Sequence, residues 1–138
     1  MEYVCDAPGD LTWFRLVSEG EAVAESEAMH HAVEKHYRRE REKAAEAFRP
    51  ATSVFIEQDI GKEAFIQRSM PQFMTLRNQD GEPLITAMLP PKGRASGTVI
   101  IVGPGNSDPY VEHGSAIRAL AEHFGMTLDR VHCYPYRR

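Results

Sequence analysis

SEGEAVAESEAMHHAVEKHYRREREKAAEAF, residues 18–48, decides how the rest of the chain has to be arranged. It lies in the longest interval without proline, is rich in alanine, glutamate and long basic residues, and predicts one long helix. Ser18 followed by Glu21 fits a capping box, in which the serine oxygen accepts from a free amide one turn on. Glu19, Glu21, Glu25 and Glu27 open the segment, and Arg38, Arg39, Arg41 and Lys43 stand towards its close, so the charges oppose the backbone dipole. Arg49-Pro50 stops it, because the residue before a proline is pushed out of the helical region.

At about 100° per residue, Ala22, Met29, Val33, Tyr37, Ala44, Ala47 and Phe48 fall on one stripe. The stripe is thin, with no apolar residue from Arg38 to Lys43. A helix of about thirty residues spans roughly 45 Å, whereas a compact chain of 138 residues has a diameter of roughly 35–40 Å. Either the helix breaks near Arg38, or its second half projects and meets a partner. The expected surface for self-association is Met29, Val33, Tyr37, Arg41, Ala44 and Phe48, facing a second copy of the chain or another protein.

Working outward, residues 2–5 and 11–17 read as extended pieces joined through Ala7-Pro8-Gly9-Asp10. Both alternating sets of the second piece carry apolar residues, and Trp13 is expected as a core anchor beneath the long helix. Ser53–Ile56 is a short β-rich run, and Gly61–Ser69 a brief helix with Asp59 as its cap. Phe73–Arg77 and Leu84–Leu89 flank Asp80-Gly81, a strong hairpin signal. Thr98–Val102, a continuous β-branched run, is expected as a central strand. Asp108 as N-cap, Pro109 in the first turn and Gly125 at the close bound an amphipathic helix, and Leu128–Tyr134 follows as a last strand. The sum is a single α+β domain over residues 1–138: a mainly antiparallel sheet with one long N-terminal helix and one C-terminal amphipathic helix on one face.

Composition sets outer bounds. Hydrophobic residues make up 42% and charged residues 26%, ordinary values for a globular domain. No apolar run is long enough to cross a bilayer, and no basic-then-apolar leader opens the chain. Two cysteines, Cys5 and Cys133, do not make a disulfide framework and read as reduced thiols in the cytoplasm. The net charge is −4, with residues 1–69 at −5 and residues 70–138 at +1, which argues against a dedicated duplex binder.

Four groups of residues could carry chemistry. Gly103-Pro104-Gly105-Asn106-Ser107 leads into a helix N-terminus, where open amides can hold a small anion or carboxylate with Ser107 and His113 as polar groups. The loop lacks the lysine of a phosphate loop, and Asp108 stands where a dinucleotide fingerprint has its third glycine. Glu27, His30 and Glu34 have the spacing of ligands in carboxylate-bridged metal bundles. One copy is too few for a site unless two chains pair, and no cofactor is expected. His132-Cys133 are neighbours on an expected strand and so point to opposite faces, not to one nucleophilic site. Arg130, Tyr134, Tyr136, Arg137 and Arg138 interleave basic and aromatic residues, as single-stranded nucleic-acid binders do.

These features lead to the expectation of a non-enzymatic cytoplasmic protein that acts through protein contacts and self-association along residues 18–48. The first alternative is a small-ligand protein or small enzyme with its site at the 103–108 loop. The second is a nucleic-acid accessory protein using the C-terminal arginines.

Overall fold

A computed structural model describes residues 1–49, 61–94 and 96–137. Within these, the strands β1 (Glu2–Ala7), β2 (Leu11–Arg15), β3 (Gln72–Arg77), β4 (Pro83–Leu89) and β5 (Ile100–Val102) form one antiparallel sheet in sequence order. The helices α1 (Glu19–Met29), α2 (Val33–Ala47), α3 (Lys62–Ser69) and α4 (Tyr110–Phe124) pack on it. The α+β class and the antiparallel sheet are those expected from the sequence. The expected extended run at 53–56 and the cap at Asp59 lie outside the described residues. No helix of the described residues is long and apolar enough to cross a membrane.

The register sorts side chains between two faces. Trp13, Leu76 and Ile85 stand opposite one another on one side, as do Met74, Ala87 and Ile101. They form a core with Ala116, Ile117 and Leu120 of α4. Phe73 and Met88 point the other way and pack with Leu16, Ala22, Val33, Tyr37 and Ala44. The helices therefore cover both faces of the sheet, not one. The cause lies in β3, where neighbouring residues Phe73 and Met74 are both apolar and both buried, so each face needs a cover. Trp13 correspondingly serves α4 and not the N-terminal helices: its indole donates to the Ala116 carbonyl at 2.8 Å.

The single long helix predicted over residues 18–48 is two helices. Ser18 opens α1 as expected, its oxygen accepting from the Glu21 amide at 3.2 Å while Glu21 accepts from the Val17 amide at 2.8 Å. His30 then turns left-handed, with φ 55° and ψ 50°, and its amide and that of His31 donate to the Ser26 carbonyl. The Ser26 hydroxyl also accepts from the Glu34 amide at 3.1 Å and donates to the Glu34 carboxylate. A side chain inside α1 thus satisfies the open end of α2, whose N-cap residue Ala32 has no capping group of its own. The break falls at His30–Ala32, six to eight residues before Arg38, because folding back there lets Met29, Val33, Tyr37 and Ala44 all be buried. A straight rod would leave its outer half without apolar cover.

The hairpin between β3 and β4 is where Asp80-Gly81 placed it. Asn78 Oδ1 accepts from the amides of Asp80 and Glu82 at 3.0 and 2.9 Å, and Gly81 has φ +78°. Two expectations at the C-terminal end are corrected. The β-branched run ends in an edge strand, β5, not a central one. The expected strand 128–134 is a 3-10 turn at Arg130–His132, after which Tyr134 alone bridges to Ile100 in parallel. The amides of Tyr136 and Arg137 then turn back to the Cys133 carbonyl at 2.9 and 2.8 Å, so the ladder ends at Tyr134.

Candidate functional site

Where α1 crosses the sheet, a carboxylate is buried. Glu25 is 0% exposed and faces Thr75 and Thr86, which stand opposite each other on β3 and β4. The Thr75 hydroxyl donates to Glu25 Oε1 at 3.0 Å, the Thr86 hydroxyl donates to Oε2 at 2.5 Å, and Arg77 Nη2 donates to Oε1 at 2.7 Å. Arg77 is fixed in turn by Thr75 Oγ1 at 3.0 Å and the Gly81 carbonyl at 3.0 Å. Desolvating a carboxylate is costly unless it is paired and hydrogen-bonded, and here both oxygens are.

The network reaches one residue further. His31 Nε2 lies 2.8 Å from Thr86 Oγ1. Because the Thr86 hydroxyl proton is directed to Glu25, its oxygen must accept from His31, which places the imidazole proton on Nε2. Nδ1 then faces the Val33 amide at 3.4 Å. His31 is half-buried, and burial pushes its pKa below the ordinary histidine value while the Glu25 carboxylate pulls it the other way. The chain His31–Thr86–Glu25–Arg77 holds a neutral imidazole of fixed tautomer and orientation.

That imidazole lines a cavity of about 140 Å³ between the α1–α2 turn and the β4–β5 edge of the sheet. Its walls include Val33, Phe73, Met88, Ile100 and Val102, and its polar groups are His31, His36, Thr86 and Asn106. Arg39 Nη2 sits 3.0 Å from His36 Nδ1. A guanidinium only donates, so Nδ1 is the acceptor and His36 carries its proton on Nε2. Asn106 stands in a left-handed conformation, φ 62°, in the 3-10 turn Pro104–Asn106 that precedes α4.

Of the residues expected at the 103–107 loop, Asn106 alone lines this cavity. Gly103 and Gly105 shape the turn: Gly103 donates to the Ser107 carbonyl at 2.7 Å, and a Cβ on Gly103 would come within 2.8 Å of Ser107 Oγ. Gly105 has φ +63°. Ser107 is exposed and its hydroxyl donates to the Pro104 carbonyl at 2.6 Å. His113 lies 3.8 Å from the exposed Glu112 carboxylate. The anion position expected before α4 is filled by the chain's own Asp108, which accepts from the Tyr110 amide at 2.9 Å and pairs with Arg130 at 2.6 Å. The Tyr110 amide is the main reason its carboxyl is held below the ordinary range.

The other expected groups come apart as sites. Among the residues proposed for self-association, Met29, Val33, Tyr37 and Ala44 are buried within the subunit. Arg41 forms a two-pronged pair with Glu63, and Phe48 packs on Phe65 with ring centroids 5.5 Å apart. Folding α2 back onto the core places Met29, Val33, Tyr37 and Ala44 inside the subunit and leaves Arg41 and Phe48 half-buried. Glu27 and His30 are exposed, Glu34 is held by Ser26, and no group of three metal-ligating side chains occurs among the described residues. At the C-terminal end, Arg130 lies 4.6 Å from the Tyr136 ring centre and Arg137 5.9 Å from that of Tyr134. Tyr136 also meets Tyr110 at right angles, and the Arg130 guanidinium over its ring covers one stacking face from within the chain. Arg138 lies outside the described residues. Cys5 and Cys133 are free thiols, and burial pushes both up, away from the reactive thiolate.

Sequence reasoning passed over Glu25, His31, Thr75, Thr86 and Arg77 as parts of a site. The usable signal was the pair of threonines at matching positions of a hairpin, each between apolar neighbours (Met74 and Leu76, Ile85 and Ala87), since a buried polar pair needs a partner. The chain matches no protein-family model, no curated protein and no solved structure.

Proposed function

We propose that this domain is a small-ligand-binding protein of the cytoplasm whose site is the cavity between the α1–α2 turn and strands β4 and β5. One observation carries the reading: an apolar cavity has its polar groups gathered at His31, His36, Thr86 and Asn106, and one of them is oriented by a buried network. Apolar walls with a few convergent polar groups are the general form of small-molecule sites. Nothing in the arrangement requires a covalent step. His31 has both nitrogens engaged and Thr86 donates to Glu25, so neither is poised as a base or nucleophile.

The test is an amide-resolved NMR titration of the whole chain with a library of small organic fragments. Binding should shift His31, Val33, Thr86, Val102 and Asn106 together, and Val102→Phe, which places a ring in the cavity, should abolish the shifts. Fragments that perturb only other surfaces, or that bind the Val102→Phe protein equally well, would overturn the reading.

A further inference from the structure

From the charge, size and hydrogen-bonding groups of the cavity, we infer that its ligand is an uncharged single-ring molecule with a lactam-type edge, an N–H beside a carbonyl. The inference rests on the binding site proposed above and names the chemical class it takes. Charge is decided by what is missing from the walls and by what lies behind them. None of the cavity's lining residues is an aspartate, glutamate, lysine or arginine. Behind Thr86, the buried Glu25 is paired with Arg77 at 2.7 Å. Arg39, the cation next to His36, has a side chain 60% exposed, and its nitrogen is engaged at His36 Nδ1. A charged ligand would give up its hydration with no counter-charge in return.

Size follows from the volume. About 140 Å³ compares with the roughly 150 Å³ of an apolar cavity able to take up benzene. One ring fits, and Phe73, Met88, Val33 and Val102 offer it apolar contact. The edge follows from the two polar groups that the protein leaves with capacity. His36, with Nδ1 occupied by Arg39, presents an N–H donor at Nε2 and calls for a ligand carbonyl. The Asn106 carboxamide has no hydrogen-bond partner among the described residues and offers a donor and an acceptor, the complement of an N–H beside a C=O. Thr86 and His31 already bond to one another, so they fix the cavity's shape and contribute little further specificity.

Four probes of one-ring size separate the possibilities by NMR titration: 2-pyridone, toluene, benzoate and benzylammonium. 2-Pyridone should bind at least tenfold more tightly than each of the others, with shifts at Thr86, Val102 and Asn106. Asn106→Gly keeps the left-handed backbone and removes the carboxamide. It should reduce the preference for 2-pyridone over toluene at least fivefold without weakening toluene. Benzoate or benzylammonium binding at the same residues as tightly as 2-pyridone would overturn the ligand class and leave the site standing. So would an unchanged preference in Asn106→Gly. If no fragment shifts the cavity residues, the site itself fails, and the ligand class fails with it.

Discussion

On the α4 side of the sheet, Trp13, Met74, Leu76, Ile85, Ala87 and Ile101 meet Ala116, Ile117 and Leu120 in a dry core with one polar handle, the indole N–H on the Ala116 carbonyl. On the side of α1 and α2, the same strands present Thr75 and Thr86 to a buried carboxylate, and next to it lies a cavity. The two faces are built from alternate residues of the same strands, a few ångströms apart. One contributes stability through apolar area, at roughly 25 cal/mol per Å² removed from water. The other holds charge and empty space, both of which cost stability unless something else requires them. The contrast is the ground for placing the proposed site on this side of the sheet.

If that contrast is right, the polar side should be the more easily broken. Arg77→Met removes the one cation paired with Glu25 among the described residues and leaves the buried carboxylate without a counter-charge. It should cost about 3–5 kcal/mol, read as a fall in the urea midpoint, and a loss below about 1 kcal/mol would show the pair to be dispensable. Trp13→Phe probes the dry side. It keeps an aromatic ring but removes the indole donor, leaving the Ala116 carbonyl with its helical partner alone, and about 0.5–1.5 kcal/mol should be lost, less than at Arg77. Should the order reverse, the assignment of the two faces fails.

The smallest effect is one of pH. The fold holds His31 neutral, with its value below the ordinary one near about 6.5, so the unfolded chain takes up the proton first as the pH falls. Stability contributed by keeping this imidazole neutral is therefore complete above that ordinary value and is lost as the pH drops through the folded-state value. Urea midpoints taken between neutral and mildly acidic pH should decline more steeply for the wild type than for His31→Gln. Parallel curves would mean that His31 does not titrate with folding.

Local features were legible in the sequence. The hairpin at Asp80-Gly81, the Ser18 cap, the α4 helix and its Gly125 close all depend on residues within one turn of one another. What escaped depends on distant contacts. The break at His30 has no proline or glycine to mark it. It is held by Ser26 reaching Glu34 across eight positions and by the burial of Val33 and Tyr37. Glu25 reads in sequence as one more acid near a helix start, yet its partners lie 50, 52 and 61 positions away. The site followed the same division. Asn106 was reachable from its turn, whereas His31 meets Thr86, 55 positions away, only because the helix before it stops short.

The position of the only tryptophan has an optical consequence. Its indole is sealed beneath α4, across the sheet from the cavity, so its emission should report the collapse of the core with high contrast and barely register a molecule arriving at the opposite face. A fluorescence titration that stays flat would be the natural signal of a binding protein built this way, and occupancy should instead appear as a rise in the temperature at which that emission changes.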